Sequence, residues 1–133
     1  MQFTENVMPY GFMQQERPVL GAKLEGNDGY PELNGSVYVY CLPGRIYLQG
    51  DFSGLPLSSE FAFHIHEGTE CGKFGKVLLP LPDISSGGDG NASMQVCLDR
   101  ADCTQIAGRT IVLHLRSNGE EIQIACGVLE RIL

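Results

Sequence analysis

The sequence predicts an all-β sandwich or barrel, on three observations. Short apolar or strictly alternating runs recur along the chain, separated by Gly, Pro, Asn and Asp. No long segment carries apolar residues at i, i+3, i+4 and i+7, so helical patterning is nearly absent. Seventeen glycines suit a fold with many tight connections.

Residues 1–17 show no clear period and read as an N-terminal arm; residues 18–133 read as one domain. Met8 and Met13 in the arm are either soft copper donors or part of a loosely packed extension. The runs Val19 to Glu25, Gly35 to Leu42 and Ile46 to Phe52 follow as strands. Pro43-Gly44 between the second and third makes a tight hairpin turn. Phe61 to His66, Asn91 to Cys97, Thr110 to Leu115 and Ile122 to Leu129 complete the strand set. Ser85 to Asn91 reads as a turn entering a strand. A phosphate-cradling loop would need a helix N-terminus after it, and none follows.

His64, His66 and His114 are the chain's three histidines. In Phe61-Ala62-Phe63-His64-Ile65-His66, side chains switch faces at each residue. Both imidazoles therefore share one face, while Phe61, Phe63 and Ile65 take the other. His114 stands in a second alternating run, opposite its apolar partners Ile111, Leu113 and Leu115. Three neutral imidazoles converging from two strands would hold copper or zinc. The competing reading is three surface histidines on the polar face of a sheet.

Sixteen acidic against nine basic residues give a net charge of −7. That balance opposes nucleic acid, anionic membrane surfaces and small anions. No apolar run approaches the length of a membrane span. The first residues have neither a basic start nor an apolar stretch, so the expected location is cytoplasmic unless a signal has been removed. Five cysteines are too few for a disulfide scaffold and odd in number, so at least one thiol stays free or pairs between chains. Cys97 and Cys103, flanking Leu98 to Asp102, could pair across a loop, hand over cuprous copper, or stay unpaired. Cys41 would be the leftover thiol.

Several ordered motifs resemble the Cu/Zn superoxide dismutase family, from about residue 18 to the C-terminus. Phe63-His64-Ile65-His66-Glu67-Gly68 is similar to its His-x-His copper strand and following turn, with Cys71 shortly after. Leu79 to Ile84, with Asp89-Gly90-Asn91-Ala92 beyond, resembles the segment that re-enters the barrel after the zinc loop. Ile106 to His114 is similar to the family's Gly-Arg-Thr strand that ends in a copper histidine, and Ile124-Ala125-Cys126-Gly127-Val128 matches the strand of its second cysteine. Gly35 to Val39 and Gly54-Leu55-Pro56 fit the preceding hairpin. The resemblance implies a Greek-key barrel, copper on His64, His66 and His114, and a Cys71–Cys126 disulfide. Such a bridge would contribute about 4 kcal/mol on chain-entropy grounds. It also implies that Arg109 is a structural brace.

The departures from the family pattern carry as much information. The segment from Gly72 to Leu79 contains no histidine, and Asp83 alone cannot hold zinc, so no zinc site is expected. The segment from Leu115 to Ile122 is short where the family has an electrostatic loop, and it contains Glu120 and Glu121. The position of the family's channel arginine, three residues before Cys126, is Gln123. A guanidinium there would dock superoxide. Arg116, then Lys73 or Lys76, are the nearest substitutes, and each also reads as a solvated surface charge. The expectation is a copper-binding, superoxide dismutase-like protein whose partners are copper ion or superoxide, with at most weak dismutation and room for a homodimer. The alternatives are a metal-free structural or interaction module, or a three-histidine zinc site that ionises water with Glu67 nearby.

Overall fold

The computed structural model describes residues 17–133; the arm residues before them, with Met8 and Met13, lie outside the described residues. Among the described residues, nine strands and one short helix follow in order. They are β1 (Leu20–Gly26), β2 (Asn34–Leu42), β3 (Arg45–Ser53), β4 (Glu60–His66), β5 (Val77–Ser85), β6 (Ala92–Asp99), α1 (Cys103–Ile106), β7 (Thr110–Ser117), β8 (Glu120–Val128) and β9 (Glu130–Arg131).

Eight strands form one antiparallel sheet in the order β5-β4-β7-β8-β1-β2-β3-β6, with β9 added to β1. β5 and β6 meet at the two ends of this path without ladder pairing, which makes a nearly closed barrel. The connections from β3 to β4 and from β6 to β7 jump across neighbouring strands in the Greek-key manner. All-β architecture, expected from the alternating runs, is what the chain adopts.

Alternation builds the core. Leu20 and Leu24 of β1, Val37 and Val39 of β2, Ile46 and Leu48 of β3, and Phe61, Phe63 and Ile65 of β4 are fully buried or nearly so. Ile111 and Leu113 of β7 and Ile124 of β8 meet them from the other side. Phe52 and Phe63 touch edge to face across the interior, with ring centroids 5.6 Å apart. Each such side chain contributes roughly 1.5–3 kcal/mol when withdrawn from water. The two-residue turn between β2 and β3 relies on Gly44, whose φ of +72° suits glycine beside a proline.

Three features depart from the sequence expectations. β5 is a full strand from Val77, although Pro80 and Pro82 argue against a central strand; it borders the open seam, where missing N–H donors leave no ladder gap. α1 is a single turn. Its signal is local: the Asp102 side chain accepts from Thr104 N and the Gln105 side chain returns to the Asp102 backbone, a capping box. The cysteine pairing is corrected. Cys41 is not the leftover thiol but pairs with Cys103, and Cys97 is the free one. Alternation explains this: Leu98 sits in β6 on the core side, so Cys97 points outward, in register with Tyr47. Cys103, on α1, packs against the core where β2 ends. The Cys71–Cys126 disulfide, implied by the family resemblance, is present.

Candidate metal centre

The three histidines gather on the outer face of the β5-β4-β7-β8 half of the barrel. In the β4–β7 ladder Ala62 faces His114, His64 faces Val112, and His66 faces Thr110. These six residues thus share the outward face, behind which Phe61, Phe63 and Ile65 fill the core. Ring centroids are 5.1 Å apart for His64 and His114, 5.8 Å for His66 and His114, and 5.9 Å for His64 and His66. One nitrogen from each ring lies within 4.8 Å of the other two. Among the described residues, this is the cluster of metal-ligating side chains.

The donor set fits a metal. Nitrogens sharing a tetrahedral ion at about 2.0–2.1 Å stand roughly 3.4 Å apart, so small side-chain rotations bring these rings to one point. Nε2 of His66 and Nδ1 of His114 are buried with no hydrogen-bond partner. A buried ring nitrogen left unpaired carries a desolvation cost that a bound cation would remove.

His66 is 8% exposed, and its tautomer is fixed from outside the barrel. Its Nδ1 lies 3.1 Å from the carbonyl oxygen of Gly75, so Nδ1–H donates and Nε2 keeps its lone pair. The Phe74 ring packs beside it, with centroids 5.6 Å apart. Both residues belong to the loop between β4 and β5, and that loop is held firmly. Glu67 N donates to Lys76 O, Gly68 N to Phe74 O, and Thr110 N to Gly68 O. Arg109 Nη1 donates to Glu67 O at 2.6 Å, a bracing contact of the kind the family resemblance implies for it. The Cys71–Cys126 disulfide fastens the same loop to β8. Gly68 itself sits so close to Lys73 O that a Cβ would come within 2.0 Å of it.

Burial holds His64 and His114 below the usual imidazole range. For His64 the opposing effect of Glu121 comes next, and for His114 the His64 and His66 rings add to the lowering. Both rings are therefore neutral, with free lone pairs, at neutral pH.

Two of the expected charge substitutes, Arg116 and Lys73, are held in ion pairs. Arg116, two positions beyond His114 on the same face, grips both oxygens of Asp83 at 3.1 Å and Glu121 Oε2 at 2.9 Å. Lys73 pairs with Glu70 on the loop. Asp83 is thus committed to Arg116. Glu67 contributes its backbone to the loop, and its side chain is exposed. Glu60 of the same outer row accepts from Ser85 Oγ.

Gln123 does reach the site face, by a route the sequence pattern alone hides. Leu113 faces Ala125 and His114 faces Gln123, which leaves Ile124 as the extra residue of a β-bulge. Ile124 and Ala125 both turn into the core. Simple alternation from Cys126 would have turned Gln123 inward; the bulge sets it beside His114 instead. Gly75 and Phe74 were not legible as site residues, because their roles arise from loop closure. The chain matches no family model and no curated protein.

Proposed function

We propose that this protein binds copper through His64, His66 and His114, as a relative of the Cu/Zn superoxide dismutases without the zinc site, and that its superoxide turnover is weak. The observation that carries the reading is the mutual approach of three ring nitrogens to within 4.8 Å. Two neutral, depressed-pKa imidazoles and a third whose tautomer is set by Gly75 support it. The Greek-key order of strands and the Cys71–Cys126 bridge agree with the resemblance in sequence.

Bound copper would supply the one-electron couple that dismutation of superoxide to dioxygen and peroxide requires. The residues of this chain bind and orient that ion, but they do little to attract an anion. Arg116 is neutralised by Asp83 and Glu121, and the chain carries −7 overall. Gln123 offers an amide N–H beside His114 but no charge. Slow turnover would follow from missing anion docking, with water as the proton source for peroxide. Two disulfides persist most readily in an oxidising compartment, which counts against the cytoplasmic location expected from the N-terminus.

Copper stoichiometry tests the reading. The wild-type chain should retain one ion per chain after loading and desalting, and the double variant His64→Ala/His66→Ala none, with the same far-ultraviolet dichroism. Equal retention by both would refute the assignment, and absence of copper from both would leave a metal-free interaction module.

A further inference from the structure

The ladder between β7 and β8 places a carboxylate side chain next to the histidine cluster. His114 faces Gln123 and Arg116 faces Glu121, so Glu121 is the diagonal neighbour of His114 on the same outer face. Diagonal pairs lie about 7–8 Å apart, within reach of a long side chain. Resting on the metal reading above, we propose that Glu121 is the fourth donor of the site and gives up its contact with Arg116 to reach the bound ion.

Three observations point to Glu121 among the nearby carboxylates. First, its attachment is the loosest. Arg116 Nη1 holds Glu121 Oε2 alone, and among the described residues Oε1 has no partner. Asp83 is gripped through both oxygens by Nε and Nη2, and Glu60 accepts from Ser85 Oγ. Second, release of Glu121 leaves Arg116 still paired with Asp83. What is given up is one ion pair whose side chains are 42% and 39% exposed, a weak contact in water. Third, His66 Nε2 and His114 Nδ1 are buried without partners, so the cluster itself asks for a cation. The Glu121 charge already acts on both His64 and His114. A carboxylate oxygen is a hard donor, so three imidazoles with Glu121 would favour a divalent ion, cupric or zinc, over a cuprous one.

Cupric affinity, measured by competition with a chelator on the full chain, together with the electron paramagnetic resonance spectrum, tests this. Glu121→Gln should weaken cupric binding by on the order of 10–100-fold and shift the copper hyperfine splitting. Arg116→Gln should tighten binding, because it frees Glu121. Wild-type affinity and spectrum in Glu121→Gln would overturn the fourth-donor role while leaving the three-histidine reading intact. Failure of the wild-type chain to bind cupric ion would overturn both.

Discussion

The Nδ1 of His66 and the carbonyl oxygen of Gly75, nine positions apart in the chain, stand 3.1 Å from each other. That contact makes the free lone pair on Nε2 of a barrel-strand imidazole depend on the conformation of a loop. The loop's own anchors are Gly68, Arg109 and the Cys71–Cys126 bridge. Disturbing any of them should be felt at His66.

Gly68→Ala places a methyl group against the Lys73 carbonyl, where a Cβ would lie 2.0 Å from the oxygen. The loop must shift, and Gly75 with it. Metal affinity is expected to fall on the order of 10–100-fold, as for loss of an orienting partner. Chelator competition measures it, and an unchanged affinity would contradict the coupling.

The two disulfides should separate stability from binding. Removing either by Cys→Ser costs roughly 2–5 kcal/mol, read from denaturant midpoints without reductant. Cys71→Ser should also weaken metal binding, because that bridge fastens the Gly75 loop. Cys41→Ser should not, since the Cys41–Cys103 bridge ties β2 to α1 away from the histidines. Equal loss of affinity in both variants would mean that general destabilisation, not loop position, controls the site.

Acid should act below the ordinary imidazole value. His64 and His114 have folded-state pKa values depressed from 6.5, mainly by burial. The unfolded chain therefore takes up protons first as pH falls. For the metal-free protein these groups leave stability unchanged above pH 6.5 and lower it below, until the folded rings themselves charge. Ring-proton chemical shifts followed against pH should give midpoints under 6.5 for both. Midpoints at or above that value would contradict the burial argument.

Gln123→Arg should raise any superoxide turnover and make it fall with added salt. The bulge at Ile124 sets position 123 beside His114, where a guanidinium would attract an anion. Stopped-flow decay of superoxide at two ionic strengths measures this. A rate insensitive to both the substitution and salt would remove the docking argument.

Much of this molecule is legible in its residues. The strand runs, the shared face of His64 and His66, and the outward placement of His114 all follow from a period of two. That logic fails where local geometry breaks the period. The bulge at Ile124 turns Gln123 outward, and the edge position of β5 tolerates Pro80 and Pro82. Cysteine partners could not be read from spacing, because Cys41 and Cys103 are far apart in the chain and meet only when α1 folds against the end of β2. Gly75 and Phe74 enter the site only through loop closure. Arg116, the nearest substitute for a docking cation, is spoken for by Asp83 and Glu121, which is a fact of register between strands.

The most direct measurement is electron paramagnetic resonance of the full-length chain titrated with cupric ion, with nitrogen couplings counted by pulsed methods. Saturation at one ion per chain, with imidazole nitrogens from three histidines coupled to it, is the predicted result. A cupric ion coupled to fewer histidines, or spread over several weak sites, would contradict the convergence of His64, His66 and His114 on a single ion.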